Sequence, residues 1–106
     1  MDFLTLPQIK QQLRLDDDFD DEDEILVIYG NSSERVAVKF LNRNVYNDAV
    51  PDSDPDGIVI TDDIRLAMLM TVSHWYKNRG PVTPFEQSNI PMTWRFLLNP
   101  YRIIPI

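Results

Sequence analysis

The chain has 106 residues, 43% of them hydrophobic and 10% aromatic, which is enough for one domain around one core and too little for a second. It contains no cysteine, which excludes a disulfide framework and a thiolate metal site. The net charge of −7 is concentrated in the first half: residues 1–52 hold twelve acids against five bases, whereas residues 53–106 hold five of each. With no basic stripe to meet phosphates, direct nucleic-acid readout is not expected. The longest apolar run, Ile64 to Val72, contains Arg65 and falls well short of the roughly 20 residues of a membrane span. The N-terminal apolar residues are interrupted by Thr5, Pro7, Gln8 and Lys10, unlike a signal peptide, and a soluble, intracellular protein is expected.

Thr5-Leu6-Pro7-Gln8 has the form of a capping box with proline in the first turn, and Leu6, Ile9 and Leu13 share a face; a short helix is predicted over Leu6 to Arg14. Eight acids crowd Asp16 to Glu24 around Phe19, reading as a solvated loop that ends in a helix start. Residues 25–43 admit two readings. The β-branched segments either side of Gly30-Asn31 suit a hairpin, whereas Leu26, Tyr29, Ser33, Val36, Ala37, Phe40 and Leu41 share a helical face, with Gly30 as a weak point of about 1 kcal/mol. Asn42 to Gly57 has loop composition. Thr61-Asp62-Asp63 then caps a central helix whose stripe is Ile64, Ala67, Met68, Thr71 and Trp75, with Leu66, Leu69, Met70, Val72 and Tyr76 covering its other sides. Gly80-Pro81 is expected to end that helix, a linker with Pro84 and Pro91 to follow, and a short apolar turn to run from Met92 to Leu98.

The sharpest motif is Asp52 to Asp63, which places Asp52, Asp54 and Asp56 at positions one, three and five of a calcium loop, Gly57 at six and Asp63 at twelve. Pro55 and the short twelfth acid oppose it, and a proline-rich acidic loop capping the next helix is the preferred reading. His74 is the only histidine and Ser73 points to a different face, so neither a histidine-based zinc site nor a nucleophilic dyad is expected. No catalytic set and no cofactor motif is found. An apolar central helix and an aromatic C-terminal third instead suggest an assembly part, with Trp75, Tyr76, Arg79, Phe85, Trp94, Tyr101, Arg102, Ile103 and Ile104 as interface candidates. The apolar ending Ile103-Ile104-Pro105-Ile106 is expected to dock on something.

Asp62 to Met70 running into His74-Trp75-Tyr76-Lys77-Asn78-Arg79, then Pro84-Phe85, then Leu97-Leu98-Asn99-Pro100-Tyr101-Arg102, resembles the head-tail connector family of tailed phages and prophages. The opening Leu4-Thr5-Leu6 to Leu13-Arg14-Leu15-Asp16-Asp17-Asp18 resembles that family's first helix and acidic turn. The resemblance weighs toward a helix over 25–43. It implies an all-α bundle of three to four helices in a single domain over residues 1–106, with a long loop before the central helix and an extended C-terminal segment. It further implies a homo-oligomeric ring beneath a dodecameric portal. The portal protein and the next head-completion or tail protein would be its partners, and DNA only passing cargo. The virion head-tail junction would be its place, reached from the host cytoplasm. From other classes, a calcium-dependent binding module using residues 52–63 and an acidic DNA-mimic inhibitor are the alternatives.

Overall fold

The computed structural model describes residues 1–16, 18–77 and 92–104. Four helices carry the fold: α1 (Leu6–Leu13), α2 (Asp23–Leu41), α3 (Asp62–Lys77) and α4 (Met92–Leu98), the last continuing into a 3₁₀ turn at Asn99–Tyr101. The expected all-α bundle of three to four helices forms, with a two-strand bridge as the one addition among the described residues, and residues 25–43 are helix rather than hairpin, all but the last two lying within α2. The expected ends of α3 at Gly80-Pro81 and the proline linker lie outside the described residues.

The capping box at α1 is complete: the Thr5 N–H donates to Gln8 Oε1 at 2.9 Å and the Gln8 N–H to Thr5 Oγ1 at 3.3 Å. Thr5→Ala removes one of these partners and is expected to lower stability by about 1 kcal/mol in a denaturant melt, with Thr5→Ser largely retaining it. Arg14, read as the last helical residue, is instead the left-handed cap at φ 60°, one residue beyond the helix.

Asp23 and Glu24 occupy the first turn of α2, where they complement the helix dipole. Asn42 closes α2 in the left-handed conformation at φ 57°, a position asparagine tolerates better than most residues. Gly30 in its middle has a packing reason: an added Cβ would collide with the Met1 side chain and press on Ile9. Entry to α3 is capped as expected, the Ile64 N–H donating to Thr61 Oγ1 at 3.2 Å.

Between α2 and α3 the chain is less irregular than its composition suggests. Val45–Tyr46 (β1) and Ile58–Val59 (β2) form a two-residue parallel bridge with Val45 opposite Ile58, continued by the Ile60 N–H donating to Tyr46 O at 2.8 Å. Parallel pairing needs a crossover, and the polar loop 47–57 supplies one without a helix.

The core gathers one face from each helix: Ile9 of α1, Leu26, Ala37 and Leu41 of α2, Ile64, Ala67, Met68 and Val72 of α3, and Trp94 and Leu98 of α4, with Leu4 ahead of α1. The two buried hydroxyls within it are satisfied inside their own helices, Ser33 donating to Gly30 O and Thr71 to Ala67 O. On α3 the predicted stripe is the buried face apart from the half-buried Trp75. The helix is therefore not absorbed all round, since Leu66 stays 43% exposed.

Candidate assembly surfaces

Four clusters of side chains decide what this subunit presents. The first is the acidic entry to α2. Asp16, Asp18, Asp20, Asp21 and Glu24 are exposed, as a solvated run predicts, but Asp23 turns inward to an ion pair with the buried Lys10 at 3.0 Å. That pair ties α1 to the start of α2. No local pattern points to this pair, because its partners stand thirteen residues apart on either side of the acidic loop.

The second is the N-terminal segment, held along α2 by one carboxylate. Glu34, 7% exposed, accepts from the backbone N–H groups of Asp2, Phe3 and Leu4 at 2.9, 2.9 and 2.8 Å. Beside it lies a shallow groove of about 290 Å³ lined by Phe3, Asn31, Arg35, Val38 and Lys39. No motif marks Glu34 in the sequence; a lone acid at the edge of an apolar helical face was the available hint.

The third is the 42–60 loop. Tyr46 Oη donates to Asp54 Oδ2 at 2.6 Å and Asn44 Nδ2 to the same oxygen at 2.9 Å. The bond to the tyrosine holds Asp54 below the ordinary carboxylate range, and the same bond raises the Tyr46 phenol. The remaining acids of the calcium-loop pattern go elsewhere. Asp63 accepts from the Tyr101 hydroxyl at 2.9 Å, Asp52 and Asp56 are exposed, and the Asp56 carbonyl accepts from Arg43 Nε at 2.6 Å. Among the described residues, no three acids or histidines converge as a metal would require.

The fourth is the C-terminal third, which holds most of the interface candidates. Trp94 is 4% exposed, its ring 4.8 Å from that of Phe40, so it belongs to the subunit's own core. Trp75 is half-buried with its ring 6.1 Å from Tyr29, and Tyr76 packs partly buried against the core. Arg102 donates from Nε to Phe40 O at 3.0 Å and lies 4.6 Å above the Phe40 ring. The Ile103 N–H donates to Leu41 O at 2.9 Å, and Arg43 Nη1 donates to Tyr101 O at 3.1 Å. Among the described members of the set, Ile104 is exposed at 70% and Arg102 is exposed as well; Arg79 and Phe85 lie outside the described residues. Large apolar side chains that the candidates omitted stand out instead: Met92 at 71% and Phe96 at 67% on α4, and Ile28 at 51% on α2.

The fold is that of a small, mostly helical subunit whose large apolar side chains are divided between one core and outward positions on α2, α3 and α4. Residues 3–102 match the family described as phage gp6-like head-tail connector protein, and the chain belongs to that family of structural phage proteins. Its place is accordingly the head-tail junction of the virion, in contact with other head and tail proteins. Comparison with curated proteins and with solved structures found no match. No helix among the described residues is long and apolar enough to cross a membrane.

Proposed function

We propose that this chain is a non-enzymatic connector subunit. It forms a homo-oligomeric ring beneath the capsid portal, matching a dodecameric portal, and extends the DNA channel toward the next head-completion or tail protein. Family membership across residues 3–102 carries this reading. The outward Met92, Phe96 and Ile104 support it, since apolar side chains of this size are normally covered in an assembled particle. The charge balance supports it too: a subunit at −7 gives passing DNA little to adhere to, where a basic lining would bind each phosphate in turn. Assembly would begin in the host cytoplasm.

The test is self-association and portal attachment. Light scattering over a wide concentration range is expected to show oligomers at the upper end, and the protein is expected to co-sediment with purified portal rings. A chain that stays monomeric at every concentration and pellets with no portal would overturn the ring.

A further inference from the structure

The two outward apolar positions on α2 and α4 differ in the charges that surround them. On α4, Met92, Arg95 and Phe96 stand at i, i+3 and i+4, so they share one exposed face, opposite the buried Trp94 and Leu98. On α2, Glu24 and Ile28 are likewise one turn apart and exposed, with exposed Asp20 and Asp21 immediately before them. One patch is apolar with a cation, the other apolar with acids. They are also far apart. Trp94 meets Phe40, so α4 lies by the C-terminal end of α2, whereas Ile28 is twelve residues earlier, roughly 18 Å along the helix axis.

We propose that copies of this chain join head-to-tail, the Met92/Arg95/Phe96 face of one seated on the Glu24/Ile28 face of the next. This rests on the reading of the chain as a self-assembling ring subunit. Copies carrying −7 each repel on average, so a stable contact must bring an exposed cation to an exposed acid. A two-fold contact cannot do that with either patch alone. It would set Arg95 against Arg95, or the acids of one α2 against those of another. Pairing unlike patches satisfies both, and a contact between two different surfaces is the kind that propagates around a ring.

Sedimentation velocity on the full chain at low salt tests this, with circular dichroism to verify that each variant is folded. Arg95→Glu, Glu24→Lys and Phe96→Ser are each expected to weaken self-association about tenfold or more, and the Arg95→Glu/Glu24→Lys double variant to recover most of the loss. If the single variants associate like wild type, or the double variant is no better than the weaker single, the head-to-tail contact is wrong while the ring stands. A wild type that is monomeric both in solution and on portal rings overturns both.

Discussion

Glu34→Ala is expected to lower the unfolding free energy by about 3–5 kcal/mol, the range of a disrupted buried charge network. The carboxylate is the shared acceptor for three consecutive backbone amides at 2.8–2.9 Å. Charge-assisted bonds of this kind contribute about 1.5–3 kcal/mol each and do not add fully. Losing them strands the Leu4 amide in a residue only 3% exposed. It also frees the segment that places Leu4 in the core and Met1 against Gly30. Glu34→Gln keeps the shape and one acceptor but points an N–H₂ at a donor, so it should fall between wild type and alanine. Urea denaturation with a fixed m-value measures both. A loss below about 1 kcal/mol for alanine would mean that apolar contacts alone hold the N-terminal segment.

Trp94→Ala is expected to cost about 3–5 kcal/mol, whereas Phe96→Ala, two residues on, should stay within about 0.5 kcal/mol. Trp94 is 4% exposed and its ring meets Phe40 at 4.8 Å, a pairing that adds to its area burial, whereas Phe96 is 67% exposed. Trp94→Phe should be milder than alanine for two reasons. It keeps a ring against Phe40, and it removes an indole N–H that is buried without an acceptor among the described residues. Thermal melts of the three variants check the order; comparable losses at 94 and 96 would place α4 in the wrong rotation.

That rotation shows what the sequence could and could not reveal. Trp94 and Phe96 were both legible as members of an aromatic C-terminal third, but a seven-residue helix spans barely two turns, too few for periodicity to say which side faces in. Sequence alone therefore places Trp94, and not Phe96, among the interface candidates, the reverse of their burial in the fold. Longer elements did better. The Thr5/Gln8 box, the Thr61 cap and the Ile64–Ala67–Met68–Thr71 face each follow from local chemistry or from sixteen residues of period, and each stands where it was expected. Long-range polar pairings left no such trace. Glu34 bonds residues 30 or more positions away, Lys10 pairs with Asp23 across a loop, and Arg43 reaches Tyr101. Each depends on how helices pack rather than on neighbours in sequence. The Asp52–Asp63 pattern shows the same limit from the other side. Its spacing suits a shared ion and says nothing of partners from outside the loop: within the fold Asp54 accepts from the Tyr46 hydroxyl and the Asn44 amide, and Asp63 from the Tyr101 hydroxyl.

The manner in which the last described residues are fastened also sets how they come loose. Tyr101, Arg102 and Ile103 are each bonded to the stretch from Phe40 to Arg43, through Arg43 Nη1, Phe40 O, and both Leu41 O and the Asn42 amide. Pulled from Ile104, such a row does not share the load. The bonds at Ile103 take it first, then those further in, so the strip opens like a zip at low force while the helices stay folded. Pulled along its own length the same row loads in parallel and resists. The strength of anything gripping this end therefore depends on direction: firm in line with the strip, weak when peeled away from α2.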